Sequence, residues 1–194
     1  MSKKFYTFFL LFLFAAFPFV IQAGSNNPKV IMKTTMGDMV IELYKNKAPF
    51  TVKNFLSYVD EKFYDGTIFH RIIKGFMIQG GGFTPDFKEK PAKPPIKNEA
   101  ANGLSNKRGT IAMARTEVIN SATCQFFINQ VDNFGLDHRD NTPTGFGYAV
   151  FGKVIKGLKV VDAIAKVKTK TQGYHADVPR ETIEIISVSR LENE

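Results

Sequence analysis

The 194-residue sequence contains no tryptophan and one cysteine, Cys124. A single thiol cannot close an intramolecular disulfide. Its setting, Ala122-Thr123-Cys124-Gln125-Phe126, reads as a buried small hydrophobe rather than a nucleophile. Histidine is scarce too. His70, His138 and His175 lie far apart, with no ligand-like spacing among them, so neither a metal site nor any cofactor is expected. Gly80-Gly81-Gly82 lacks the Lys-Ser/Thr that completes a phosphate-binding loop, and reads instead as tight backbone at a strand end. No spacing localises a Ser/His/Asp set. Internal repeats and linker-like stretches are absent, so residues 24–194 are expected to form one domain.

Long apolar runs are also few. Phe5–Ile21 is uncharged over 17 residues, follows Lys3 and Lys4, and leads into Gln22-Ala23. That order is the order of a secretory signal peptide, residues 1–23, with cleavage after Ala23. The run is at the short edge of what spans a bilayer, and Pro18 interrupts its end, so a lasting membrane anchor is the weaker reading. No cysteine lies nearby to carry a lipid. The formal net charge is +8, but the lysines are scattered apart from Lys88–Lys97. No aromatic-basic repeat tracks a groove, so the charge reads as solvated surface and no nucleic-acid partner is expected.

The patterning that is present is mostly of period two. Val30–Met32 and then Met39, Ile41 and Leu43 predict two strands around Met36-Gly37-Asp38. Pro49 opens a helix whose Val52, Phe55, Leu56 and Val59 share one face. Short strands are expected at Ile68–Ile72, Phe76–Gln79, Thr110–Ala114, Gln125–Asn129 and Tyr148–Val154. A second helix is expected at Leu158–Val167, and a closing strand at Ile183–Val188. Many short strands with two helices predict a mainly β fold, an antiparallel sheet closed into a barrel with a helix over each end. The polar loop from Phe83 to Asn106, rich in proline, is long for a compact domain, and such loops are often functional.

Four runs carry chemistry. They are Phe69-His70-Arg71-Ile72-Ile73-Lys74-Gly75-Phe76-Met77-Ile78-Gln79-Gly80-Gly81, Gly109-Thr110-Ile111-Ala112-Met113-Ala114-Arg115, Ser121-Ala122-Thr123-Cys124-Gln125-Phe126-Phe127-Ile128, and Gly147-Tyr148-Ala149-Val150-Phe151-Gly152. In this order they resemble the signature of the cyclophilin-type peptidyl-prolyl cis-trans isomerases, over roughly Pro28 to Arg190. Asn98-Glu99-Ala100 with Ile111–Arg115 looks most like the exported bacterial branch, which implies a periplasmic location.

The resemblance implies an eight-stranded antiparallel β-barrel capped by two α-helices, with its active groove on the outside. Carried over by position, the groove holds Arg71 and Gln79 as catalytic residues. Phe76, Met77, Ala114, Arg115, Gln125, Phe127, Leu136 and Tyr148 form the substrate surface. Outside the bacterial branch, Asn often stands at Arg115 and His at Tyr148. The implied partners are proline-containing, unfolded or partly folded polypeptides, met by a monomer.

The residue types suit that reaction. An X-Pro bond rotates over a resonance barrier of about 18–20 kcal/mol, and no bond breaks, so no nucleophile is needed. Twisting the amide localises a lone pair on the proline nitrogen. A guanidinium aimed at that nitrogen binds the twisted state better than the planar one, and Arg71 is expected to supply it. Gln79 is expected to bind substrate backbone and to orient Arg71. His70, by strand alternation, is expected to point away from Arg71 as a satisfied core histidine.

One departure stands out. Where the family has Trp or Phe before Leu-Asp, this chain has Gly135, with Phe134 one residue earlier. Phe134 is therefore a candidate replacement ring; otherwise the groove is more open there. Cyclosporin, which contacts this aromatic position in the family, is expected to bind weakly. Arg139–Gly145 follows as an insertion at the same rim. Gly135 also leaves a rival reading, a proline-binding adaptor with little turnover. A basic nucleic-acid binder is a third, disfavoured by the leader.

Overall fold

The computed structural model describes Met1 and residues 27–191, so the expected leader and its cleavage after Ala23 lie outside the described residues. The chain runs β1 (Lys29–Thr34), β2 (Gly37–Leu43), α1 (Pro49–Asp60), β3 (Thr67–Ile73), β4 (Met77–Gly80), β5 (Thr110–Met113) and β6 (Phe126–Asn129). It continues with β7 (Val150–Lys156), α2 (Leu158–Ile164), β8 (Thr169–Gln172), β9 (His175–Pro179) and β10 (Glu184–Leu191). Eight strands close into an antiparallel barrel in the order β1-β10-β3-β4-β6-β5-β7-β2, as the alternating pattern predicts.

Alternation assigns the interior. In β2, Met39, Ile41 and Leu43 are fully buried while Val40 and Glu42 between them are half-buried. The apolar face of α1 closes one end of the barrel. Its Phe55 lies 5.1 Å from the ring of Tyr64, 5.9 Å from Phe126 and 5.2 Å from Phe151. Val161 and Ile164 of α2 join the same apolar cluster. Cys124 is buried there, and desolvation raises its thiol pKa above the ordinary value, which keeps it protonated and inert.

Helix α1 begins at Pro49 without a capping side chain of its own, since Ala48 precedes it. Glu99, from the long loop, does the capping. Its carboxylate accepts from the backbone N–H groups of Phe50 (3.2 Å) and Thr51 (2.8 Å) and from the Thr51 hydroxyl (2.7 Å). A negative group at a helix N-terminus satisfies free donors and opposes the positive end of the dipole. The long loop is thereby tied down, and further bonds fix it. The backbone N–H of Lys93 donates to the Tyr58 hydroxyl, and that of Ile96 donates to the Ala122 carbonyl.

Three expectations need correction. Helix α2 stops at Ile164, because residues 165–167 tighten into a turn in which Val167 N–H donates to Ile164 O at 3.2 Å. The β8–β9 hairpin was not foreseen: Thr169–Gln172 is wholly polar and exposed or half-buried, so it carries no apolar alternation. It forms its own two-stranded sheet, and β9 packs beside β3. His70 is buried, but it is not satisfied and alternation does not govern it. The register between β3 and β4 slips between Phe69 and Arg71, which makes His70 the extra residue of a bulge. Its Nδ1 has no hydrogen-bond partner.

Candidate active site

The outward-facing residues of the middle strands build a second apolar cluster, separate from the barrel interior. Met77, Ala112, Phe127 and Val150 form its buried part, and Ile73, Phe76, Leu104, Ala114, Leu136 and Tyr148 pack against it. Pairing register explains the alignment. Arg71 pairs with Gln79, Gln79 with Phe127, Phe127 with Ala112, and Ala112 with Val150. Directly opposed residues of antiparallel strands share a face, so one row crosses five strands with a cation at its end.

Above that row lies an open groove lined by Arg71, Phe76, Met77, Gln79, Ala114, Arg115, Phe127, Leu136 and Tyr148. Every one of these was a candidate from the sequence. Wider hollows lie beside Met36, Lys168 and Arg180 and beside α1, but neither sets a cation over packed rings. Phe127 and Tyr148 meet edge to face at 5.6 Å, a favoured geometry for rings.

The groove walls are held by a polar network that residue patterns did not reveal. Asn129 is fully buried, and its amide donates to Asn106 Oδ1 (3.2 Å) and Thr110 Oγ1 (2.9 Å). Asn133 donates to Asn129 Oδ1 (2.7 Å) and to the carbonyl of Phe76 (2.9 Å). Asn106 in turn donates to Leu136 O (3.2 Å) and Asp137 Oδ1 (3.0 Å). Phe76 and Leu136, which both line the groove, are thus pinned to one chain of amides with Asn106 and Asn129 buried, and such a network rigidifies what it holds when every member is satisfied.

Arg115 braces the rim. Its Nε donates to Gly147 O (2.9 Å), Nη1 to Thr116 O (2.8 Å) and Nη2 to Pro143 O (2.7 Å). The guanidinium also lies 4.9 Å from the centre of the Tyr148 ring, a cation–π distance. The Arg139–Gly145 insertion is therefore fastened to the groove through Pro143. Tyr148 falls outside β7, which begins at Val150, and its N–H donates to Leu136 O at 3.0 Å.

Two candidates stand apart from the lining. Phe134 sits in the 3-10 turn Phe134–Leu136 at 54% exposure, and it is not a wall of the groove. No ring replaces the one that Gly135 lacks, and that side of the groove is open. Gln125 lies behind Gln79, where its Oε1 accepts from Gln79 Nε2 at 3.0 Å. It crosses so close to Gly82 that a Cβ there would come within 2.5 Å of it.

The Arg71 side chain is half exposed and makes no hydrogen bond to Gln79 or to any other described residue. Its acidic neighbour is Asp177 on β9, with Nε and Oδ2 3.7 Å apart. Sequence reasoning missed Asp177 together with the hairpin that carries it. No group of three or more acidic, histidine or cysteine side chains among the described residues could hold a metal.

The comparisons agree with this geometry. The family model for cyclophilin type peptidyl-prolyl cis-trans isomerase/CLD matches residues 29–190. A peptidyl-prolyl cis-trans isomerase of Acinetobacter baylyi is 60% identical over 162 residues, covering 84% of this chain and 85% of the relative. Peptidyl-prolyl cis-trans isomerase B of Escherichia coli is 56% identical over 160 residues, covering 82% of this chain and 98% of the relative. A solved cyclophilin-type isomerase of Cryptosporidium parvum superposes with a TM-score of 0.71 at 26% identity, over 87% of this chain and 99% of that one. A second structure of it, in the presence of the dipeptide Ala-Pro, gives 0.70 at 27% identity, covering 85% of this chain and 99% of that one. This chain belongs to the cyclophilin-type peptidyl-prolyl cis-trans isomerases.

Proposed function

We propose that this isomerase accelerates X-Pro rotation in exported polypeptides and so assists their folding, with Arg71 as the catalytic donor. The observation that carries the assignment is the row Arg71–Gln79–Phe127–Ala112, which sets a guanidinium at the edge of an apolar floor.

Met77, Phe127, Phe76 and Leu136 grip the proline ring while the preceding carbonyl turns. The apolar surface excludes water, which otherwise stabilises the more polar planar amide. Arg71 donates to the proline nitrogen as its lone pair localises. Such an interaction exists only in the twisted state, so it raises kcat rather than tightening ground-state binding. Gln79, with its Nε2 engaged by Gln125, has its Oε1 free to accept from a substrate backbone N–H. The substrate class is supported by the Ala-Pro dipeptide present with the related Cryptosporidium protein.

Export rests on the leader pattern of residues 1–23, read as cleaved after Ala23, with Lys3 and Lys4 before Phe5–Ile21. The site of action is the periplasm, where slow prolyl steps limit the folding of arriving chains, and the enzyme works as a monomer. The Asn98-Glu99-Ala100 run supports the exported bacterial branch. Cyclosporin binds weakly, because the side of the groove at Gly135 has no ring to meet it.

A protease-coupled assay on a short Xaa-Pro peptide tests the assignment. A charge-assisted hydrogen bond contributes about 1.5–3 kcal/mol, so Arg71→Ala loses roughly ten- to a hundredfold in kcat/KM. Turnover at the wild-type rate would remove Arg71 from the mechanism. Pulse-labelled cells fractionated into periplasm and cytoplasm test the location; full-length chain retained in the cytoplasm would refute it.

A further inference from the structure

We infer that Asp177, on the β8–β9 hairpin, is a positioning residue that holds Arg71 in its catalytic orientation. The inference rests on the assignment of Arg71 given above. Gln79, the neighbour that shares a register pair with Arg71, is turned toward Gln125 and makes no bond to the guanidinium. Asp177 remains, 3.7 Å from Nε. An anion on the Nε side biases the orientation of a rigid, delocalised fork by charge and leaves both Nη groups, which carry no hydrogen bond among the described residues, for the groove that Arg71 lines.

The backbone at Asp177 supports a role. Its φ is +60°, a left-handed conformation shared by two other non-glycine residues among those described, Lys62 and Phe87. Such conformations are disfavoured for L-residues and gather at functional positions, where surrounding structure enforces them. Here the enforcement is visible. Val178 and Pro179 are buried, and they pair with Lys170 and Thr169 of β8, so the hairpin keeps its shape next to β3. The anion is also well matched to its surroundings. Arg115, the other groove cation, has its donors committed to backbone carbonyls, so Asp177 faces Arg71 without competition from it.

Both partners are substantially exposed, with side-chain accessibilities of 43% and 39%. An exposed pair at this separation adds little to stability. Its effect is therefore read in turnover and in salt response rather than in melting.

The experiment is steady-state kinetics on the purified protein and its variants with an Xaa-Pro peptide. Asp177→Asn keeps the shape and the tolerance for positive φ while removing the charge. It is expected to lower kcat roughly two- to fivefold with KM unchanged, the scale of an exposed ion pair, and to leave the melting temperature where it was. Raising NaCl from about 0.05 M to about 0.5 M is expected to bring wild type down to the variant and to leave the variant unaffected. Asp177→Gly, which also relieves the backbone, is expected to show the same loss. In an Arg71→Ala background, Asp177→Asn is expected to do nothing further. Wild-type kcat in Asp177→Asn at low salt, a loss insensitive to salt, or an added loss without Arg71 would each overturn the inference. If those results come with the roughly ten- to hundredfold loss in Arg71→Ala, the assignment of Arg71 stands and only the role of Asp177 falls. If Arg71→Ala is fully active, both fall.

Discussion

His70 makes the stability of this barrel depend on pH in a way that can be sized. Its side chain is 6% exposed, its ring lies 4.7 Å from that of Phe83, and Nδ1 has no partner. Burial first, and then the neighbouring His175 and Arg71, lower its pKa from 6.5 to about 4. In the unfolded chain His70 takes up a proton as pH falls through 6.5, whereas in the native state it resists until about pH 4. Between those values the unfolded state binds more protons, so stability is complete above pH 6.5, declines through the window and levels off below pH 4. At about 1.36 kcal/mol per unit, the loss attributable to His70 is about 3 kcal/mol across the window and about 2 kcal/mol by pH 5. The assay is denaturant unfolding of wild type and His70→Leu between about pH 4 and pH 7.5. The carboxylates that also titrate at the acid end, such as Asp162, act equally in both proteins and cancel in the difference. His70→Leu is expected to be at least as stable at pH 7.5, because an unpartnered buried polar atom costs about 1–3 kcal/mol, and to lose less on acidification. Parallel curves for the two proteins would refute the reasoning. So would an imidazole titration by NMR near the unperturbed value.

Two further substitutions test other parts of the structure. Glu99→Ala removes the carboxylate that caps α1 from a distant loop and is expected to cost about 1–2 kcal/mol in denaturant unfolding; an unchanged midpoint would show that water replaces the cap without loss. Gly135→Trp places a ring where a Cβ meets nothing within 4 Å. It is expected to fold normally and to tighten cyclosporin binding, and equal affinities by calorimetric titration would refute the proposed effect of Gly135 on that ligand.

The barrel was legible because its signal is local. Strands such as β1 and β2 alternate between an interior and an exterior, and α1 shows an apolar face at helical spacing beginning at a proline. Where the structure departs from expectation, the physical cause is a contact distant in sequence. Glu99 caps a helix that starts some fifty residues earlier, so no local box of residues announces it. The hairpin β8–β9 is polar on both faces of β8 and is fixed by packing against β3, which leaves nothing for periodicity to detect. His70 deceived strand alternation because a bulge inserts one residue, and a bulge at Phe69–Arg71 leaves no mark in the order of side chains.

The groove poses a different problem, because prolyl isomerisation demands no reactive group. Nothing in the composition marks it: the sole thiol is buried and inert, and no metal cluster exists among the described residues. Singly, Arg71 is a surface cation and Phe127 a buried ring. Their meaning lies in register, which places Arg71, Gln79 and Phe127 in one row, and the ordered family motif is the sequence's only record of that register. The same motif could not reveal what holds the row in place. The asparagine chain Asn106–Asn129–Asn133 pins Phe76 and Leu136, and Asp177 meets Arg71 from outside the barrel. On the proposed assignment, Arg71 supplies about 1.5–3 kcal/mol against a barrier of about 18–20 kcal/mol, so the remainder of any acceleration falls to the apolar floor of the groove. A catalyst that relies on placement concentrates its requirements in the residues that do the placing, and those are the residues that pairwise spacing along a chain cannot show.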